Sequence, residues 1–545
     1  MANSRDFTGK NRKFTGTKGV VMPKGSTAER ADTESGEIRF NTTTELMEYY
    51  DGNQWKPIDA PPTISSISTS DATGDTDVLN ADGSTLFTIT INGGNFSIGP
   101  DVKFIGNTGT EYTAGNINRV SNSQITCTTL LSMGTSDDPY DVQVINTSGL
   151  SATLDDALSF NAPPVFTVAS GTLGEVYNGQ TISGTTLNAG ATDAEGNTIT
   201  FSIISGSLPG SGLTLSSSTG AITGTLSGTP SLGNYPFVVQ AATTEGTVNR
   251  QFSIQVIANP FVVATGGTIT TDGDDKIHTF NNSSNFVVSN AGTSPNNAVQ
   301  YLVIGGGGGG GAGQASDGNH CSGGGGGAGG VLYNNAKDFT VTAQTYSITV
   351  GGGGAGGSGQ ARGTNGSSAT FSNITSAGGG GGGSANTETG LAGGSGGGAG
   401  NDFDSGVVSG GAGNTPATSP SQGNNGGGSN GGAGGNYGSG GGGGAGAAGT
   451  NGATNAGAGG NGVQLSISGS SVYYGGGGGA GVYSNAGASA GGLGGGGNAS
   501  NGTANGGNGT DNLGGGGGGV SNLINNSLTG GTGGKGVVII RYKYQ

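Results

Sequence analysis

Between residues 60 and 260, apolar side chains alternate with polar ones in short runs set off by glycine, proline and serine turns. Val102-Lys103-Phe104-Ile105-Gly106, Tyr140-Asp141-Val142-Gln143-Val144-Ile145-Asn146 and Phe252-Ser253-Ile254-Gln255-Val256 each turn one face inward at every second residue, the period of a half-buried strand. Val, Ile, Thr, Tyr and Phe fill the apolar positions and no long 3.6-residue pattern occurs, so the predicted fold class is all-β. Residues 1–58 are polar and turn-rich, with small islands at Gly19–Gly25 and Gly36–Asn41. Leu46–Tyr50, Asp51-Gly52 and Gln54–Ile58 follow, and Asp-Gly between apolar runs predicts a type I′ hairpin. A module this small cannot bury enough surface alone, so a partner chain is expected.

The glycine-dominated stretch from Gly305 to Gly536 lies between two strand-like runs, Val299-Gln300-Tyr301-Leu302-Val303-Ile304 and Gly536-Val537-Val538-Ile539-Ile540-Arg541-Tyr542. A flexible tether needs no matched strands at its ends. The bracketing predicts loops or rods thrown out from a β-scaffold and returned to it.

Charge narrows the function classes. The net charge is −15, yet residues 1–28 carry Arg5, Lys10, Arg12, Lys13, Lys18 and Lys24 against Asp6 alone, a basic arm suited to contacts. Residues 61–545 hold nine basic and twenty-four acidic groups, so a nucleic-acid role for the body is not expected. Membrane insertion is not expected either, for no run approaches the roughly 20 apolar residues of a spanning helix. Met1–Asp6 shows no apolar signal segment. An adhesin-like body without an export signal points to a virion protein made in the host cytoplasm. Cys127 and Cys321 fall in different predicted domains and imply no disulfide framework.

Three stretches carry resemblances. Pro23-Lys24-Gly25-Ser26-Thr27-Ala28-Glu29-Arg30, Gly36–Thr42 and Glu48-Tyr49-Tyr50-Asp51-Gly52-Asn53-Gln54-Trp55 resemble a repeat of tail-fibre and structural proteins of tailed phages of marine bacteria, with Ala31 where that repeat has proline. The resemblance implies a homotrimer, with Ile38, Phe40, Tyr49 and Trp55 as candidate oligomerisation residues. Pro61 to Phe160, with Leu86–Phe96 and Val102–Gly106 as signature runs, resembles the TIG immunoglobulin-like domain. Leu208-Pro209-Gly210, Gly212–Ser216, Ser218–Thr225 and Tyr235–Ala241 resemble an Ig/cadherin-like repeat. The combination His278-Thr279-Phe280, Tyr301–Gly310, Tyr346–Gly357 and Gly534–Tyr542 is similar to the glycine-rich C-terminal domains of phage fibres and surface adhesins, in which oligoglycine packs as polyglycine II helices. Ordering glycine costs about 0.5–1 kcal/mol per residue relative to alanine, so such rods need backbone hydrogen bonds to neighbours, which side-chain-free helices approach closely enough to make. No strict Gly-X-Y period occurs, which excludes collagen.

The expected organisation is an attachment and oligomerisation module (1–60), a TIG-like sandwich (61–161), a cadherin/Ig-like sandwich (162–260) and a glycine-rich host-contact domain (261–545). The function this implies is a non-enzymatic phage tail-fibre or adhesin subunit. It would meet other virion proteins at its N-terminus and a bacterial surface glycan or outer-membrane protein at its C-terminus. The rival is a purely structural appendage, such as a capsid fibre, neck or connector protein.

Candidate chemistry is sparse. The two histidines, His278 and His320, form no catalytic constellation, and neither paired carboxylates nor a β-helix repeat suggests a depolymerase. Asp193, Glu195 and Asn197 could offer oxygens to Ca²⁺, although such turns also serve simply as turns. Receptor-contact candidates are side chains interrupting the glycine: Asn401, Asp402, Phe403, Asp404, Tyr437, Tyr473, Tyr474 and Tyr483. Aromatics on polar loops bring contact area at low entropic cost.

Overall fold

The structure, a computed structural model, describes the chain apart from residues 1–16, 18, 31–33, 71–77, 81–84, 185, 245, 314, 317–318, 403–405, 431–436, 483–487 and 522–526. Strands dominate, and the chain divides into two compact units, Met1–Ile257 and Ala258–Gln545.

In the first unit, Lys24–Gly25, Ile38–Asn41, Leu46–Tyr50 and Trp55–Ile58 form one small sheet. The hairpin stands where Asp51-Gly52 placed it, but its turn differs from the expected type. Tyr50 pairs with Trp55, leaving a four-residue loop in which Gly52 takes φ +98° and Asp51 does not take positive φ. The Asp51 carboxylate closes the loop by accepting the N–H groups of Asn53 and Gln54 at 2.9 and 2.8 Å.

The next two domains are sandwiches whose alternating runs bury one side. Thr88–Gly94 lies between Gln124–Thr128 and Thr63–Thr69 in one sheet of the first, and Tyr140–Ile145 between Ser151–Asn161 and Asp101–Gly106 in the other. Ile89, Ile91, Phe104, Tyr140 and Val142 fill its core. The sandwich is not wholly antiparallel: Val78–Asn80 pairs parallel with Ser159–Asn161. In the second, Phe201, Phe237, Val239, Phe252 and Ile254 form the core, and Gly171–Val176 runs parallel to Phe252–Val256.

The second unit begins as a sandwich of two five-stranded sheets. Val537–Lys543 lies between Asp275–Phe280 and Ala298–Ile304, so the two runs that bracket the glycine tract are neighbouring strands. His278 is fully buried here, its Nδ1 2.7 Å from the Gly266 carbonyl and its Nε2 2.9 Å from the Tyr542 hydroxyl. The carbonyl can only accept, so Nδ1 carries the proton and Nε2 accepts from Tyr542. Burial, assisted by Lys276 and opposed by the Gly266 bond, holds the imidazole below its ordinary value of 6.5. Below that pH an unfolded chain takes up a proton that the fold refuses, so stability is present above it and is lost as pH falls through it. The thermal midpoint of this unit in the full chain should drop between pH 7.5 and 5.5, and His278→Gln should remove most of that slope. A midpoint flat across this range would contradict the assignment.

Candidate functional site

Glycine runs leave the sandwich, turn, and come back many times, and their hydrogen bonds define how they pack. Along the first run, Gly305, Gly308 and Gly311 donate to Gly330, Gly327 and Gly324 of the returning run. Gly306, Gly309 and Ala312 donate to Ser367, Thr364 and Ala361, while Gly307 and Gly310 donate to Gly534 and Gly531. Successive residues thus address three different antiparallel neighbours, and each partner recedes by three. Three parallel runs donate back: Gly354 and Gly357, Gly379 and Gly382, and Gly517 and Val520 bond the carbonyls of Gly307 and Gly310, Gly306 and Gly309, and Gly308 and Gly311. A run with a three-residue turn and six such neighbours is a polyglycine II helix in a close-packed bundle. A Cβ placed on Gly307, Gly308 or Gly310 would lie 2.0–2.2 Å from a neighbour's carbonyl oxygen, which is why glycine is required there.

Where the bundle meets solvent along its side, side chains stand in for a missing neighbour. Asn505, Asn508 and Asp511 accept the N–H groups of Thr529, Thr532 and Lys535 at 3.0, 3.0 and 2.9 Å. The i, i+3 spacing of both triplets is visible in the sequence, and it marks an edge rod that sequence reasoning had not singled out.

One end of the bundle is rooted on the sandwich, since the rods run directly into the strands at Ile304, Val331, Ala369, Tyr474 and Val537. The other end is a small polar layer. Ser322 and Asn401 exchange backbone hydrogen bonds of 3.0 and 2.9 Å, and isolated bridges join Ser322 to Ser521 and Val408 to Ser429. Ser322 Oγ lies 2.6 Å from Ser439 Oγ and donates to the Tyr437 carbonyl, while Ser521 Oγ donates to the Val482 carbonyl. Ala312 bridges to Val520 and Gly438 to Val482, so Ala312, Ser322, Asn401, Val408, Ser429, Gly438, Val482 and Ser521 are all tied into this end of the bundle.

The contact candidates divide on this geometry. Asn401 belongs to the layer but is fully buried, with neither amide atom hydrogen-bonded, so it supports the loops and does not present itself. Asp402 is half-buried and accepts from Cys321 Sγ at 3.0 Å, and Tyr437 is half-buried in the same layer. Tyr473 and Tyr474 sit on a strand at the sandwich end, where Tyr474 is buried against Leu302 and Ile304. Both lie at the root, on a strand paired with Val463–Leu465; Tyr474 is a buried support there, whereas Tyr473 is exposed. Phe403, Asp404 and Tyr483 lie outside the described residues. Val407, which the sequence pattern had not flagged, is 81% exposed in the Asn401–Val408 loop.

The oligomerisation candidates also separate. Cross-strand pairing puts Ile38, Phe40, Met47, Tyr49 and Ile58 on one face of the N-terminal sheet, with Ile38 42% and Ile58 48% exposed. Trp55 is on the opposite face, packed on Tyr50 and under Arg39. That face centres on buried Glu48, which Arg30, Arg39 and Asn41 surround. Burial pushes the Glu48 carboxyl up, but the bonds from Arg30 and Asn41 and both guanidinium charges outweigh it and hold it low.

The candidate calcium turn uses part of its oxygen set on itself, while Asp193 Oδ2 is buried without a hydrogen-bond partner. Asp193 Oδ1 accepts the N–H groups of Glu195 and Asn197, and Asn197 donates its side-chain amide to Asn161. Among the described residues no three His, Cys, Asp or Glu side chains come together as a metal set. The run forms an Asx turn around Gly196, at φ +82°.

Residues 279–543 match the family model described as a glycine-rich domain, and residues 163–257 match the one described as "Putative Ig domain". Solved structures with partial similarity include Dpr11 IG1 bound to DIP-gamma IG+IG2, at 15% identity over 36% of this chain and 99% of that one, with a TM-score of 0.23. The N-terminal eight Ig domains of the Down Syndrome Cell Adhesion Molecule align at 12% identity over 39% and 28% of the two chains, TM-score 0.24. The I-band fragment I67-I69 from titin aligns at 14% identity over 53% and 84%, TM-score 0.23. No curated protein matches it.

Proposed function

We propose that the chain is a non-enzymatic adhesin subunit of a virion, a tail fibre that holds a receptor-binding surface on the free end of its glycine bundle. The observation that supports this is the repeated departure and return of the chain at one polar layer, at the end of a glycine framework opposite the sandwich. Loops carried by a rigid scaffold are the usual place for recognition. The receptor in this reading is a bacterial surface glycan or outer-membrane protein. The exposed apolar face of Ile38, Phe40, Met47, Tyr49 and Ile58 supports self-association of the N-terminal module, as a homotrimer that also joins other virion proteins.

Adsorption to host cells tests the reading. Virions carrying Val407→Asp should adsorb at least roughly tenfold more slowly, because an unpaired charge replaces an exposed apolar contact, while the thermal midpoint of the purified chain stays unchanged. Deleting residues 261–545 should abolish adsorption, and light scattering on the intact chain should give three copies. Full adsorption after that deletion would leave the structural-appendage reading in its place.

A further inference from the structure

A second concave site lies at the other end of the glycine-rich unit, in the sandwich itself. Cross-strand pairing sets Arg541 beside Ile277 and Gln300, and Leu302 beside Tyr333, so Arg541, Gln300 and Tyr333 share one sheet face. The loop joining Val463–Leu465 to Val472–Tyr474 closes over that face. Its Ile467 is buried in the core with Ile277 and Leu302, and a Cβ on Gly469 would touch Asp272 and Ile277 at 3.6 Å. The cavity left between them is about 320 Å³, near the lower end of the range of roughly 300–1,000 Å³ for small-ligand sites.

We propose that this cavity binds a neutral sugar ring. Two cations and two anions line it, and they compensate one another: Arg541 contacts Asp275 at 2.9 Å and Asp272 at 2.8 Å, and Lys337 contacts Asp275 at 2.6 Å. A free ion of either sign would therefore meet no net countercharge. What remains is a wall of alternating donors and acceptors. The Asp272 and Asp275 oxygens have further lone pairs, and the guanidinium and ammonium have further N–H groups. Tyr333 donates its O–H to Asn335, which leaves the phenol oxygen free to accept, and Gln300 uses its amide N–H₂ on Asn335. Each hydroxyl of a polyol both donates and accepts, and the C–H face of a sugar ring suits the half-buried Tyr333 ring.

The backbone supplies a separate indication. Lys337 stands at φ +52° inside the strand Val331–Thr340, where the register against Val299 and Tyr301 slips. A non-glycine residue held there costs of order 1–3 kcal/mol, and a bulge of this kind re-aims a side chain. The slip is what brings the Lys337 ammonium to Asp275 at the cavity wall. An ion network serving only to rivet strands has no need of this, nor of leaving the Asp272 side chain 46% exposed.

The site is independent of the loops at the bundle's free end, and its test separates the two. Saturation-transfer NMR on the full chain would use glucose, galactose, mannose and N-acetylglucosamine, with inorganic phosphate and calcium chloride as competitors. At least one sugar should bind saturably at millimolar concentration and resist both competitors. Asp272→Ala and Gln300→Ala, both at half-open positions, should each weaken it by roughly tenfold with the melting midpoint kept. Binding of none of the four sugars, undiminished binding in both folded variants, or displacement by phosphate would overturn the proposal. Adsorption measured on the same variants reads the adhesion role separately: sugar binding lost with adsorption intact would keep this site and detach it from host recognition.

Discussion

Replacing Gly380 by valine should destroy the glycine bundle. A Cβ at this position would lie 1.9 Å from the Leu391 carbonyl oxygen and 2.8 Å from the Gly397 nitrogen, both main-chain atoms of neighbouring runs. Those runs cannot yield locally. Gly380 donates to Ser395 at 2.8 Å and accepts from Gly327 at 2.7 Å, and each partner continues the same three-residue ladder with its own neighbours. Each buried backbone group left without a partner costs about 1–3 kcal/mol, and displacing one rod exposes several. The variant should lose protease resistance throughout 305–536 while the domains of the first unit stay folded. Gly352→Ala is the control, because a Cβ there meets nothing within 4 Å and the backbone has no positive φ. It should leave the protein unchanged. A Gly380→Val protein that resists protease as the parent does would refute the packing argument.

The second large effect is expected at Phe286. Its ring is fully buried where the two sheets of the C-terminal sandwich meet. His278, Phe280, Tyr346, Phe371 and Tyr542 surround it with ring centroids 5.1 to 6.4 Å away. These neighbours come from both sheets, so the cavity left by Phe286→Ala cannot close by the shift of one side chain. The cost should be about 3–5 kcal/mol, read as a fall of roughly 5–8 °C in the midpoint of that unit. Because the rods are rooted on these sheets, protease sensitivity of the glycine tract should appear at the same temperature. A shift under about 1 kcal/mol would mean that the aromatic cluster repacks freely.

Much of this architecture was legible in the sequence because period-two alternation states directly which side of a strand is buried. Val102, Phe104, Val142 and Val144 point inward as the pattern requires, and the strands flanking the glycine tract do pair with each other. The functional end was less legible. Residues that interrupt glycine look alike in sequence whether they stand at a free loop or at the root of a rod. Tyr473-Tyr474 and Asn401-Asp402 are equivalent on that criterion, and only the direction of the rod separates them. Asn401 illustrates a further limit: a polar residue in a polar run gives no sign that a bridge to Ser322 has buried it. Ile38, Tyr49 and Trp55 look alike in sequence as apolar residues of one small module, whereas the pairing of Trp55 with Tyr50 puts it on the face of Glu48. The spacing of Asn505, Asn508 and Asp511 was available and would have located an edge rod.

The rods hold one another through main-chain groups alone, and this divides the chain's freedom to evolve. At most positions inside the bundle any side chain collides with a neighbour's carbonyl, so selection freezes those sites as glycine whatever the protein recognises. Positions beyond the Ser322–Asn401 layer are not held to glycine by that lattice and can lengthen, shorten or change composition. Descendants of this sequence should therefore keep an almost invariant frame while their loops diverge quickly, much as an antibody framework tolerates hypervariable segments.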